Sequence, residues 1–302
     1  MSERYIGVDV GGTKVAVAVF ADGRLTEHDR QPSRLDSADA LVDQLTTMID
    51  DAGPADAVGI GVPSLVDFAT GTARDSVNIP LAGVPLRSRL TERVGVPVYV
   101  DNDATVAALG EAFGDDHAPD VRHLVMFTIG TGVGGGIVIN GRVYRGATGA
   151  AGEIGHQLVS ADLRTGAPAP TPFPQRGSLE ELASGRALDT LGRAEGLADG
   201  TAIQAAQAGD ERGIRVLRIL GERIGVGIAN AINVFDPDVV AIGGGVSAAG
   251  DLLLIPARET AERFVVPGAG TRTEIRLSRY GPAAGMRGAA LLASHELEEE
   301  RS

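Results

Sequence analysis

Three groups of residues in this chain have types and spacings that could do chemistry. In the first, Asp9 lies in the apolar run Tyr5-Ile6-Gly7-Val8-Asp9-Val10 and is followed by Gly11, Gly12, Thr13 and Lys14. A carboxylate in an apolar run is costly unless a partner or a cation meets it. Gly11 and Gly12 let backbone N–H groups approach a ligand, and Thr13 and Lys14 add a hydroxyl and a positive charge, a set that suits a magnesium-bound polyphosphate. The plainer account is a hairpin with a surface lysine and a chance aspartate. In the second group, Asp101-Asn102-Asp103 ends an apolar strand pattern and opens a helix, the place where ligands sit in open α/β sheets. One of the three can cap the helix. A carboxylate there could take a proton from an alcohol while Asn102 bonds a neighbouring hydroxyl. The third group is Glu153, His156 and Glu180. Carboxylates and an imidazole suit polyol recognition, but on spacing alone unrelated surface residues are the better account.

These groups need elements to position them. Val15, Val17 and Val19 alternate after the glycine turn, so the first group sits in a hairpin, and Asp22-Gly23 turns into a third strand. The arrangement recurs about 120 residues later: Leu124–Ile129 is apolar, Gly130-Thr131-Gly132 turns, Val133–Ile139 is apolar again, and Asn140-Gly141 gives a second hairpin signal. Gly11 matches Gly130 and Asp9 matches Thr128, which points to two related halves facing each other across a cleft. Elsewhere, helical spacing is expected over 37–51, 84–94, 104–113, 179–194 (with a break at Gly185), 201–208, 211–235 and 286–300. Buried strands are expected at 57–63, 96–100 and 239–245. Alternation of strand and helix means a mostly parallel sheet. The polar stretch 114–122 is the expected domain junction, and 163–176, with four prolines, an extended loop.

Composition sets outer limits. The 302 residues exceed one ordinary core, so two domains are expected. A net charge of −13 argues against nucleic acid, which requires a basic face. There is no cysteine, hence no disulfide and no thiolate metal site. Apolar runs are too short to span a bilayer, and a strand begins within about four residues of Met1, leaving no room for a signal peptide or a DNA-binding module. The expected location is the cytoplasm.

The motifs Asp9-Val-Gly-Gly-Thr-Lys14, Asp101-Asn-Asp103, Gly130-Thr-Gly-Val-Gly-Gly-Gly136, Gly152-Glu-Ile-Gly-His156 and Gly177-Ser-Leu-Glu180 occur in the order seen in the ROK family. From Tyr5 to about Leu292 the chain resembles these sugar kinases, which include glucokinases and related repressors. The resemblance implies an α/β, actin-like ATPase (ribonuclease H-like) fold of two domains around a cleft. The smaller domain would be 1–118, completed by the C-terminal helix 284–302, and the larger 119–283. It also implies ATP and Mg²⁺ as cofactors and a homodimer or homotetramer.

By the same resemblance Asp103 is the catalytic base, and Asn78, Asn102, Asp103, Glu153, His156 and Glu180 hold the sugar. Gly11, Gly12, Thr13 and Lys14 form the first phosphate loop, and Gly130, Thr131 and Gly132 the second. Gly243, Gly244 and Gly245 lie beside the nucleoside, and Asp9 faces magnesium through water. The implied reaction is phosphoryl transfer from ATP to a hexose hydroxyl, first of all the 6-hydroxyl of glucose, with domain closure excluding water. Alternatives are a kinase for N-acetylmannosamine, N-acetylglucosamine or fructose, a polyphosphate-using kinase, and a non-catalytic sugar sensor.

Two departures stand out. Family glucokinases usually follow the Gly-Glu-Ile-Gly-His motif with three cysteines that bind structural zinc together with the histidine. Thr171, Phe173 and Ser178 stand at those positions here, so no structural zinc is expected and Phe173 packing and proline stiffness are left to hold the loop. Ser64 follows Pro63 where the family usually has glycine.

Overall fold

In the computed structural model, residues 3–76, 78–114 and 118–302 are described. In chain order the elements are β1 (Arg4–Val10), β2 (Lys14–Ala21), β3 (Arg24–Pro32), α1 (Ala38–Asp51), β4 (Ala57–Val62), β5 (Leu65–Asp67), β6 (Thr72–Asp75), β7 (Val84–Pro85), α2 (Leu86–Val94), β8 (Val98–Asn102) and α3 (Asp103–Ala112). Then come β9 (Leu124–Ile129), β10 (Val133–Ile139), β11 (Arg142–Val143), α4 (Leu179–Ala183), α5 (Gly185–Ala194), α6 (Ala202–Gln207), α7 (Glu211–Phe235), β12 (Val239–Gly243), α8 (Asp251–Phe264), β13 (Glu274–Leu277) and α9 (Ala284–Arg301). They form two compact units. The first is Met1–Arg122, Gly136–Gly152 and Ala283–Ser302; the second is His123–Gly135 and Glu153–Pro282.

The first unit is built on a sheet of order β3-β2-β1-β4-β8. Alternating valines make the β1–β2 hairpin, paired Val8 to Val17 and Asp9 to Ala16, and β1, β4 and β8 run parallel. One face packs Val8, Val15, Val17 and Ile60 against Leu41, Leu45 and Met48 of α1 and Leu86 and Leu90 of α2, all buried. Each such side chain contributes about 1.5–3 kcal/mol by leaving water. The other face receives α9 so closely that a Cβ on Gly59 would collide with the carbonyl of Ala289. Small residues let the two backbones touch there, and α9 is thereby tied to the strands that carry the first chemical group. Strands β5, β6 and β7 form a small antiparallel sheet, too short and irregular to show in the periodicity.

The second unit holds β9, β12 and β13, which run parallel. Its core is the apolar stripe Val216, Leu217, Leu220, Ile224 and Ile228 of α7, packed on Val125, Phe127, Val240 and Ile242. Helix α7 has the expected bounds. Asp210 caps its N-terminus by accepting from the Arg212 N–H, and Asp236 closes it in the left-handed region. The expected 179–194 helix is two helices, α4 and α5. Ser184 ends one and caps the other by accepting from the Ala187 N–H. Helix α8, where no element is expected from the sequence, contains Pro256. That proline packs against Gly221 of α7, which has no side chain to oppose it.

No helix among the described residues is long and apolar enough to cross a membrane. Part of the expected junction, 115–117, lies outside the described residues.

Candidate active site

In the first unit, strand β8 ends and α3 begins within Asp101-Asn102-Asp103, and the three side chains take three different tasks. Asn102 is the helix cap: its Oδ1 accepts from the N–H groups of Ala104 and Thr105, both at 3.0 Å, and its Nδ2 donates to the Ser64 carbonyl at 3.3 Å. Asp103 is the first residue of α3 and half-buried, with Oδ1 accepting from the Ala104 N–H at 2.8 Å. A helix N-terminus favours a carboxylate anion, the form that can accept a proton.

Asp101 is buried, at 3% exposure. Its Oδ1 accepts from the Asn102 N–H at 2.8 Å, and its Oδ2 accepts from Nε of Arg145 at 2.7 Å. Burial pushes its carboxyl above the usual range and the Arg145 charge opposes the rise. Arg145 also lies over the Phe68 ring, 3.4 Å from its centroid, and reaches Glu296 of α9 at 3.2 Å. Asp101 stood in the second expected group without a role of its own, and Arg145 and Glu296 were not among the expected site residues. A single arginine downstream of a hairpin carries no spacing signal, and its partners are distant in sequence.

The β1–β2 turn is closed by a hydrogen bond from the Gly11 N–H to the Lys14 carbonyl at 2.8 Å, and Ser33 Oγ donates to the Gly11 carbonyl at 2.6 Å. Thr13 and Lys14 are exposed. A Cβ on Gly12 would stand 3.3 Å from Cβ of Asn78, so the fold brings these two expected residues together. Asp9 is half-buried on β1. Burial first, and the charge of Asp103 second, raise its carboxyl to about 7, while Lys14 and Arg30 pull the other way. Gly285 of α9 makes the room: a Cβ there would lie 2.7 Å from Asp9 Oδ2. Two carboxylates held near each other in a partly dry place are an electrostatic cost that a divalent cation relieves. Mg²⁺ needs only one or two carboxylates, the rest of its shell being water and phosphate. The residues present fit it, with Asp9 as the protein's contribution. Among the described residues no group of three or more His, Cys, Asp or Glu could hold a metal ion.

In the second unit the β9–β10 turn is held by its own backbone. The Gly130 N–H donates to the Gly132 carbonyl at 2.9 Å, and the Gly185 N–H at the start of α5 donates to the Gly130 carbonyl at 2.7 Å. Arg186 Nε donates to the Thr131 carbonyl at 3.1 Å, and Thr131 is exposed. Gly132 faces Glu180: a Cβ there would fall 2.5 Å from Glu180 Oε2, which accepts from the Val133 N–H at 2.9 Å. Gly243 ends β12, and Gly244, at φ +82°, backs onto the Ile129 carbonyl, an approach that a side chain would block. Gly245 opens a short 3₁₀ turn to Ala249.

Glu153 precedes a 3₁₀ turn, Ile154–His156, in which positions three apart eclipse. His156 Nε2 therefore lies 3.6 Å from Glu153 Oε2. Burial raises the Glu153 carboxyl, His156 lowers it, and the charge of Glu180 raises it further. The third group is thus a real cluster, which its spacing did not establish. Nδ1 of His156 is buried without a hydrogen-bond partner.

The stretch from His156 to Glu180 is zipped at its base. The N–H groups of Val159 and Ser160 donate to the Gly177 carbonyl, and the Leu179 N–H donates to the Gln157 carbonyl. The three residues expected to stand where family glucokinases have cysteines have separate tasks. Thr171 Oγ1 accepts from the Arg176 N–H at 2.8 Å, Ser178 Oγ caps α4 by accepting from the Glu181 N–H, and Phe173 meets His156 ring to ring at 5.1 Å.

The ROK family model matches residues 5–296. The glucokinase of Halalkalibacterium halodurans is 34% identical, with 98% of this chain and 97% of that protein aligned. An N-acetyl-D-glucosamine kinase of Escherichia coli is also 34% identical, over 95% of this chain and 98% of that one. Among solved structures, a ROK family glucokinase from Streptomyces griseus in complex with glucose and AMPPNP superposes with a TM-score of 0.81 at 32% identity, covering 97% of this chain and 99% of that chain. The fold is that of the actin-like ATPases, and the chain belongs to the ROK family.

Proposed function

We infer that this protein transfers the γ-phosphoryl group of ATP to a hydroxyl of a hexose, with glucose at its 6-hydroxyl as the first substrate to try. The observation that carries this reading is the first unit's combination of a half-buried Asp103 at a helix N-terminus, a second carboxylate at Asp9, and a glycine turn touching Asn78. Base, cation partner, phosphate loop and sugar-side amide are what a direct transfer requires.

In the proposed reaction Asp103 takes the proton of the attacking hydroxyl. The new O–P bond forms as the bond from the γ-phosphorus to its bridging oxygen breaks, and ADP leaves. Asn102, whose Oδ1 is committed to the helix cap and whose Nδ2 donates to the Ser64 carbonyl, has the second Nδ2 hydrogen for a neighbouring sugar hydroxyl. Glu153, His156 and Glu180 hold further hydroxyls. The backbone around Gly12 and Thr13, and around Thr131, meets phosphate oxygens, with Lys14 adding positive charge. Gly243, Gly244 and Gly245 border the nucleoside. When bound, Mg²⁺ neutralises charge on the phosphates, and Asp9 would hold it through water. Positioning and electrostatics supply most of the barrier lowering in such transfers.

A kinase for N-acetylglucosamine is the second reading, since that relative shares the same 34% identity as the glucokinase. Other hexoses and a polyphosphate donor belong to the same test. A coupled ADP-release assay with ATP over glucose, fructose, mannose and the N-acetyl hexosamines decides the acceptor. Polyphosphate with direct detection of sugar phosphate decides the donor. No turnover with any sugar would sink the kinase reading and leave a non-catalytic sugar sensor. We further propose cytoplasmic location and a homodimer or homotetramer, to be checked by fractionation and by light scattering.

A further inference from the structure

The strand end that carries Asn102 and Asp103 is held from behind by charge. Asp101 sends its side chain into the first unit, where only 5% of it is exposed, and Arg145 meets it at 2.7 Å. Arg145 is fixed on three sides, by Asp101, by the Phe68 ring and by Glu296 of α9. It lies on Gly136–Gly152, the segment that returns to the first unit after the β9–β10 turn. That segment is itself anchored, since Arg74 donates to the Thr148 carbonyl and Gly149 packs on the Val66 backbone. The chain of contacts then runs Arg145 to Asp101, Asp101 Oδ1 to the Asn102 N–H, and Asn102 Oδ1 to the first turn of α3, where Asp103 stands.

We propose that Arg145 is a positioning residue for the reaction: through Asp101 it sets the corner from which Asn102 and Asp103 project. A stability role alone does not account for the geometry. A buried ion pair is a weak source of net stability, because desolvation offsets its attraction. What it does supply is direction. The guanidinium is planar and rigid, and its fork is oriented by the ring beneath it. Asp101 is the residue that answers to it, and its second oxygen is bonded to the backbone one residue before the base. A displacement of about 1 Å at a reacting group can cost about a hundredfold in rate. The proposal rests on Asp103 or Asn102 acting at that corner in the kinase reaction.

The test compares Arg145→Met, Asp101→Asn with Arg145→Met, Arg145→Lys and Asp103→Asn, each with the best sugar found and with ATP saturating. Arg145→Met should lower kcat by tenfold or more and lower the melting temperature, while KM for ATP stays within twofold. The double variant removes the unpaired buried charge, so its melting temperature should return towards that of the unaltered protein while kcat stays low. Arg145→Lys, which keeps the charge but not the fork, should melt normally and turn over at an intermediate rate. If the double variant regains both stability and kcat, Arg145 only balances a buried charge and the proposal is overturned. Arg145→Met with kcat within threefold overturns it too. Asp103→Asn is read separately: if it keeps turnover, Asp103 is not the base, and the Arg145 and Asp101 variants still report whether the corner needs its clamp.

Discussion

The Phe173 ring meets the His156 imidazole at 77° with ring centroids 5.1 Å apart, although 71% of Phe173 is exposed. An exposed phenylalanine in a proline-rich loop has little to bury, and its contact with His156 ties the loop to that histidine. Aromatic contacts of this kind are worth about 0.5–1.5 kcal/mol. Phe173→Ala should therefore raise KM for the sugar several-fold with little change in kcat or melting temperature, and Phe173→Tyr should leave both constants alone. Steady-state kinetics of the two variants is the check; an unchanged KM in the alanine variant means that the loop is held without the ring.

The protein is expected to carry no structural zinc. Of the four positions at which the family usually binds it only His156 is a strong ligand, since Thr171 and Ser178 offer neutral hydroxyls that the loop itself uses. His28, His123 and His295 join no metal-competent group among the described residues, and His117 lies outside them. Metal analysis of untagged protein should give well under stoichiometric zinc. One zinc per chain would contradict both this expectation and the alignment of the loop.

Asp103→Asn should keep the fold, because an asparagine Oδ1 still accepts from the Ala104 N–H. Turnover should fall by about 10²–10⁴-fold, the range typical of a lost general base. A loss of less than tenfold in a variant that melts normally would remove Asp103 from that role.

Asp9 gives stability a pH dependence of known sign. Its carboxyl rises from 3.8 to about 7 in the fold, so the folded state binds this proton more tightly than the unfolded chain does. Its contribution to stability is complete below about pH 4, declines as pH rises to about 7, and is constant above that. The full difference is on the order of 4 kcal/mol. Without magnesium or nucleotide, Asp9→Asn should melt higher than the unaltered protein at pH 8, and the gap should close towards pH 4.5. A constant offset across that range would mean that the raised carboxyl is not Asp9.

Gly132→Ala should act on the sugar side. The new Cβ would stand 2.5 Å from Glu180 Oε2, and the carboxylate must leave the Val133 N–H to avoid it. Sugar KM should rise about tenfold or more if a hydrogen bond to a charged group is lost at about 1.5–3 kcal/mol, with KM for ATP altered less. A rise confined to KM for ATP would assign Gly132 to the phosphates, as the resemblance to the family implies.

Much of this protein was legible from residue type and local period. The β1–β2 hairpin follows from alternating valines, α7 from its apolar stripe over Glu211–Phe235, and the break between α4 and α5 from Gly185. These signals are local: a period of two or 3.6, a cap and a turn glycine are each settled by neighbours in the chain. The motif order was also enough to indicate the family. What only the tertiary structure decided are relations between residues far apart. Nothing local distinguishes the buried Asp101 from the capping Asn102 or the half-buried Asp103, because the side chain that makes the difference, Arg145, is 44 residues away. The same holds for Glu180, which reaches Val133 across 47 residues, and for Gly285, whose missing side chain leaves room for Asp9. Spacing could not establish the cluster of Glu153, His156 and Glu180 either, because a period reports which side chains share a face and not which distant charge will meet them.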